Sequence, residues 1–424
     1  MLPLYDHTRR QICTTVFLCL CALPTLTIIT CGIARRLPWH RQAEEQRLGQ
    51  ELGLAVSIES MRHTQPGVVQ YSGLKLTDPE TGQELLRCSE LAATWTSMTD
   101  SHGQTRPAIV LAATQAESAS SAWQRLHEML RRRLECQGGR PEIEIRITAD
   151  QWTLHNSGES QVLQVVEGSG IGLMPDGIQA QLQFRLPGAN SAQPIRMRIV
   201  RNRQVSPPAN NFEMDTGPNA VPCRLLATFL TEAGALGPDC TFSGYASTFS
   251  TPGGWSGELS GQLTRVDLGR LARENAPAAL TGTADIALQK ATFQSGRIDE
   301  IVGRIACGPG ALDGRLLAAL VAHLRLTPSP QVRDTGRSLA FDRMGLAFWI
   351  DSHGISIAGN CADMPGAVAV AGGRALLTEP AQQPQPVAAL IQALIPVNEV
   401  PVPATRQTGW LARLLPIPDA ARTN

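Results

Sequence analysis

Glu142-Ile143-Glu144-Ile145-Arg146-Ile147-Thr148 alternates polar and apolar residues without a fault. Successive side chains of a strand point to opposite faces, so this stretch puts Ile143, Ile145 and Ile147 on one face and its polar residues on the other. Gln179-Ala180-Gln181-Leu182-Gln183-Phe184-Arg185-Leu186 repeats the pattern, with Leu182 and Phe184 on the apolar side, and so does Ile195-Arg196-Met197-Arg198-Ile199. Between Thr283 and Phe293 the apolar set is Ala284, Ile286 and Leu288. One-sided alternation is the mark of antiparallel sheet with one apolar and one wet face. Helical patterns are too few to interleave these strands as an alternating βα fold, so the spacing predicts a mainly β chain with a few helices.

Outward from these strands, 37–202 reads as a first β-rich segment. It opens with a short helix from Ala43 to Leu52 and the strand Leu54-x-Val56-x-Ile58, and turns follow at Pro66-Gly67 and at 78–82. Within it, 121–137 reads as an amphipathic helix, with Trp123, Leu126, Leu130 and Leu134 at helical spacing and Gly138-Gly139 as its stop. Its arginines suit either a solvated face or an anionic membrane surface. Residues 203–222 are polar and proline-containing and read as a loop or boundary. Residues 223–363 form a second β-rich segment with a leucine-striped helix at 311–324. Residues 364–424 hold nine prolines and read as a tail with one helical stretch at 387–394.

Residues 1–36 form a different unit. Ile12 to Ala34 is 23 residues without a formal charge, flanked by Arg9, Arg10, Arg35 and Arg36. At about 1.5 Å per residue such a helix crosses a bilayer core of about 30 Å. A cleaved signal peptide would want a shorter apolar run, and Ile29-Thr30-Cys31 is a poor lipoprotein site. The expectation is an uncleaved single-pass anchor, whose balanced flanks do not orient it.

The 424 residues carry 37 basic and 37 acidic groups, which gives no bulk argument for a nucleic-acid partner. No zinc knuckle, Walker A loop, HExxH or GxSxG occurs. Gly168-Ser169-Gly170-Ile171-Gly172 has Leu173 where a dinucleotide loop needs glycine. Asp351-Ser352-His353 reads as a hairpin turn, and Asp285, Asp299 and Glu300 as solvated strand ends. No catalytic, cofactor or metal residues are expected. Outside the anchor lie six cysteines: Cys88, Cys136, Cys223, Cys240, Cys307 and Cys361. They allow disulfides, with Cys223–Cys240 and Cys307–Cys361 as the favoured pairs, or buried free thiols.

One N-terminal apolar helix, a short helix, Leu54-x-Val56-x-Ile58, and Gly73-Leu74-Lys75-Leu76-Thr77-Asp78-Pro79 together resemble the opening of AsmA-like proteins. Gly257 to Gly261, Val266-Asp267-Leu268, Leu280 to Leu288 and Ala291-Thr292-Phe293 are similar to C-terminal portions of AsmA and TamB relatives. The resemblance covers about half the chain in scattered pieces. It implies an inner-membrane anchor, an elongated, curved antiparallel sheet in the periplasm, and an apolar groove for phospholipid acyl chains. Candidate lipid-facing residues are then Ile143, Ile145, Ile147, Leu182, Phe184, Ile286 and Leu288. The chain is shorter than the family's best-known bridges, which leaves open a scaffold or assembly factor for envelope proteins, and a tethered hydrolase is a third reading.

Overall fold

The structure is a computed structural model. It describes residues 6–34, 37–99, 105–119, 122, 144–156, 159–173, 177–188, 192–202, 205–206, 208–227, 231–251, 254–275, 280–330, 332, 338–361, 363–381, 384–394 and 414–416. Among these, strands dominate. The first ten are β1 Ala55–Ser57, β2 Ser60–Gln65, β3 Val68–Thr77, β4 Glu84–Thr99, β5 Thr105–Ala119, β6 Glu144–Asn156, β7 Glu159–Leu173, β8 Gly177–Arg185, β9 Ile195–Asn202 and β10 Ala209–Asp215. Then come β11 Val221–Pro222, β12 Thr241–Thr251, β13 Gly254–Asp267, β14 Leu280–Thr281, β15 Thr283–Gln294, β16 Arg297–Cys307, β17 Gly310–Leu312 and β18 Thr327–Pro328. The last are β19 Leu339–Phe341, β20 Arg343–Asp351, β21 Gly354–Cys361, β22 Met364–Pro365, β23 Ala367–Ala371 and β24 Arg374–Thr378.

Twenty-one of these strands form one sheet, and β14, β17 and β19 form a small second one. The large sheet follows chain order almost throughout: from β3 to β10 each strand pairs with the next, and the series runs on through β12, β13, β15, β16, β20 and β21. One pair departs from the antiparallel expectation. β5 and β6 are parallel, which requires a long crossover in place of a hairpin. The connection is 120–143, where the helix expected at 121–137 lies outside the described residues except for Ala122, which is helical and wholly buried.

Two boundaries read from the sequence are corrected. Within 203–222 lies β10, which pairs with β9 on one side and β12 on the other, so the sheet runs through without a break. Its sequence, ANNFEMD, hides a strand because only Ala209 and Met214 are fully buried. The region from Met364 is likewise no simple tail. β23 returns to pair with β20 and β24, and Ala367-Val368-Ala369-Val370 is buried at every position. Such a run covered on both faces has no alternation to read. The helix expected at 311–324 is shorter, Gly314–His323, because Ala311 and Leu312 belong to β17 and pair with β14 and β19. Val387–Leu394 falls as expected, and the two helices pack on each other.

The N-terminal helix runs as Asp6–Phe17, a π segment Leu18–Ala22, and Leu23–Ala34. It is long and apolar enough to cross a membrane, and none of its Arg10–Thr27 window is buried. Pro24 lacks an N–H and crowds the carbonyl four residues back. The wider π turn, in which the Leu23 N–H donates to the Leu18 carbonyl, takes up that defect. Thr14, Thr15, Thr25, Thr27 and Thr30 each donate a hydroxyl to the carbonyl four residues earlier, so these hydroxyls need no water. The helix Pro38–Leu52 follows and ends at Gly53 in the left-handed region, φ 67°.

Gly244 and Gly261 face each other across β12 and β13 with φ of 148° and 144°. A Cβ on either would stand 2.2 Å from a carbonyl oxygen of the other strand, that of Ser260 or Ser243. Gly261→Val is therefore expected to destabilise the domain by about 3 kcal/mol. Gly170→Ala, whose Cβ meets no atom within 4 Å, is expected to change stability by less than about 0.5 kcal/mol. Urea titration followed by circular dichroism compares the two.

Candidate functional site

Directly paired residues on neighbouring strands share a face, so the register itself defines the surface of the sheet. Val69 on β3 pairs with Ala93 on β4, Ala93 with Leu111 on β5, and Leu111 with Ile147 on β6. The row continues through Gly168 on β7, Leu182 on β8, Met197 on β9 and Met214 on β10. Ala246 on β12, Leu259 on β13 and Ala291 on β15 carry it into the second half. Ile301 on β16, Ile350 on β20 and Ile355 on β21 end it. Fourteen consecutive strands thus contribute no polar side chain to the row, and at about 4.8 Å per strand the lane is about 60 Å long.

The six described candidates lie on this face. Ile147 and Leu182 are in the lane; Ile145 pairs with Gly170 beside it, and Phe184 pairs with Ile195. Ile286 pairs with Leu263 and Ile305, and Leu288 with Gly261 and Gly303. Ile143 lies outside the described residues. Phe184 is buried, whereas Ile145, Ile147, Leu182, Ile286 and Leu288 are half-buried. Sequence reading missed Ala93, Met214 and Ala246, because Ala is a weak apolar signal and the β10 strand is short.

Cover over the lane is uneven. Ile350 and Ile355 are buried at the C-terminal end, where the helix Val387–Leu394 packs against β21. Val69 and Ala93 are buried at the other end, and in the middle Leu111, Ile147, Leu182, Ala246, Leu259 and Ile301 stay half-buried while Met197, Met214 and Ala291 are buried. The stretch Gly168 to Gly172 forms no loop; it lies within β7, and Gly168 and Gly170 keep this part of the face free of side chains. Trp95 and Trp255 share the face near strand ends, 44% and 41% exposed, the latter with its ring 5.2 Å from Phe293.

A crease keeps the face apolar. In β3 the buried positions are Val69 and Tyr71, then Leu74 and Leu76: the alternation slips by one at Ser72-Gly73. The same slip recurs at Ser89-Glu90 in β4, Thr114-Gln115 in β5, Asp150-Gln151 in β6 and Gln164-Val165 in β7. All five slips are adjacent in the register, and Gly73 and Val165 take positive φ, 64° and 48°. At each of these pairs the register opposes equal numbers of residues, so the slips add no extra residue between β3 and β7. On the wet side the β4–β7 pairs line a shallow trough of about 510 Å³, polar in all but Val165.

The remaining polar candidates have structural work. Asp351 accepts the N–H groups of His353 and Gly354 and closes the β20–β21 hairpin. Asp285 accepts the N–H of Arg265, whose φ of 57° marks a bulge, and Glu300 pairs with Lys290 at 2.6 Å. Among the described residues no group of three His, Cys, Asp or Glu side chains is placed to hold a metal ion. Cys223 and Cys240 meet, with sulfurs 2.6 Å apart. Cys307 and Cys361 do not, because β20 lies between β16 and β21 and two strand spacings exceed the reach of a disulfide. Compared with known proteins, the chain matches no family model, no curated protein and no solved structure.

Burial pushes the Cys88 and Cys307 thiols up to about 11. At pH 8 roughly one in a thousand is then ionised, so both are expected to resist iodoacetamide in the folded chain, as read by peptide mass spectrometry. The unfolded thiols lose their protons nearer pH 9 while the folded ones keep them. Stability is therefore expected to fall between about pH 9 and 11, seen as a falling urea midpoint.

Proposed function

We propose that this chain is a membrane-tethered lipid-handling protein. In this reading the helix Asp6–Ala34 sits in the inner membrane of a two-membrane envelope. The sheet projects into the periplasm, and the apolar face receives phospholipid acyl chains as a groove. The observation that carries the reading is the lane, apolar on fourteen strands in succession. An acyl chain needs no directional partner, only contact, and each buried CH₂ contributes about 0.8 kcal/mol. A half-covered apolar surface of this length is otherwise a liability in water. The N-terminal helix, with none of its Arg10–Thr27 window buried, supports a bilayer at its base, and the resemblance to AsmA-like proteins points the same way.

A second reading rests on the buried end of the lane. Where Val387–Leu394 covers Ile355, the protein fills its own face, and a chain covered in this way throughout would be a scaffold for envelope proteins.

Photo-crosslinking separates the two. A photoreactive residue at Leu182 or Leu259 in the full chain, in its native membrane, is expected to capture phospholipid; one at outward-facing Ser247 is not. Leu182→Asp is expected to cut capture at Leu259 by about fivefold, equivalent to about 1 kcal/mol. Equal labelling at Leu259 and Ser247, with no co-purifying lipid, would leave the scaffold.

A further inference from the structure

Val221 pairs with Phe242 and Pro222 with Thr241, so the next step of the same antiparallel register sets Cys223 opposite Cys240. The Cys223 N–H donates to the Cys240 carbonyl at 2.8 Å, which holds the two backbones at that step. Cross-strand neighbours of this kind have Cα atoms about 5.5 Å apart, the separation a disulfide spans. Both side chains are fully buried, with 0% of their surface exposed, among Val221, Leu225 and Phe242. Of the other described cysteines beyond the N-terminal helix, Cys88 lies in β4, Cys307 in β16 and Cys361 in β21, so Cys223 and Cys240 meet each other.

We propose that Cys223 and Cys240 form a disulfide in the mature protein, and that the sheet therefore folds on the oxidising side of the membrane. In the folded protein the two sulfurs lie within hydrogen-bond distance of each other, 2.6 Å apart. Before they are buried, either cysteine can attack first as its thiolate. It opens the disulfide of an oxidant, taking one of its sulfurs into a mixed disulfide and releasing the other as a thiol. The second cysteine, losing its proton, attacks the first cysteine's sulfur and expels the second oxidant thiol. Two protons and two electrons pass from the cysteines to the oxidant, which ends as a dithiol. Folded protein hides both sulfurs, so the exchange takes place before they are buried. The crosslink then pins β11 and the helix Cys223–Leu226 to the head of β12.

This inference does not rest on the lipid reading: absence of bound lipid would leave the bond in place, and its absence would leave the lane. The test is thiol mapping of the full chain from its native membrane. The sample is quenched in acid, denatured, alkylated with N-ethylmaleimide without reductant, digested and weighed. The expected result is a joined peptide pair carrying Cys223 and Cys240, lost on reduction, with Cys88 and Cys307 alkylated. Recovery of Cys223 and Cys240 both alkylated without reduction overturns the proposal together with the side of the membrane drawn from it, and either one joined to a different cysteine overturns the pairing.

Discussion

The ladder hydrogen bonds between strands constrain everything else in this protein. Each pairing fixes which residue of one strand lies beside which residue of the next, and the side-chain period of two then fixes the face. A slip of one residue in any single strand would turn its apolar set to the wet side. The lane from Val69 to Ile355 exists because thirteen successive registers agree. No one side chain in it is indispensable, but the register is, and the facing glycines Gly244 and Gly261 show how closely two backbones approach to maintain it.

The crease follows from the same constraint. A slip in one strand shifts parity beyond it, so a neighbour without the slip would present the wrong face to the core. β3 to β7 therefore slip together, at Gly73, Ser89-Glu90, Thr114-Gln115, Asp150-Gln151 and Val165. At β8 the count is repaired: Gln164 pairs with Arg185 and Glu167 with Gln183, so Phe184 alone faces two residues. The polar trough on the wet side is the outer surface of this fold line. That origin explains its amides and hydroxyls without a ligand.

Where a stretch alternates without interruption, the sequence was legible. β8, β9, β6 as far as Ala149 and β15 as far as Leu288 were placed by apolar spacing alone, and so was the shared face of Ile147, Leu182 and Leu288. Legibility failed where alternation breaks for a physical reason. β5 contains Pro107 and a parity slip at Thr114-Gln115, so its apolar residues look scattered. β23 is apolar at every position because both of its faces are covered. β10 is too short for its two buried residues to register as a period. The slip itself was readable in principle. Apolar-polar-polar-apolar recurs as Cys88-Ser-Glu-Leu91, Ala113-Thr-Gln-Ala116 and Ala149-Asp-Gln-Trp152, and five strands sharing a phase error are themselves a pattern. The parallel β5–β6 pair had only its long connection as a signal.

The N-terminal helix and the sheet satisfy backbone polarity in opposite ways, and this determines how they join. The helix bonds its backbone within itself, and five of its threonine hydroxyls donate to its own carbonyls, which suits an apolar medium. A sheet satisfies its groups through neighbours and must end somewhere. It ends at β2, Ser60-Met-Arg-His-Thr-Gln65, a polar and mostly exposed edge, whose character discourages further pairing. Because strand order follows chain order, position along the lane increases with residue number, and β3 is the lane strand nearest the N-terminal helix in sequence. In the proposed arrangement a lipid leaving the bilayer meets Val69, Ala93 and Leu111 before Leu182, and Leu182 before Ile301. Reach from the membrane is then set by the number of strands, about 4.8 Å each, and the capped end at Ile355 is where an acyl chain can travel no further without displacing the helix Val387–Leu394.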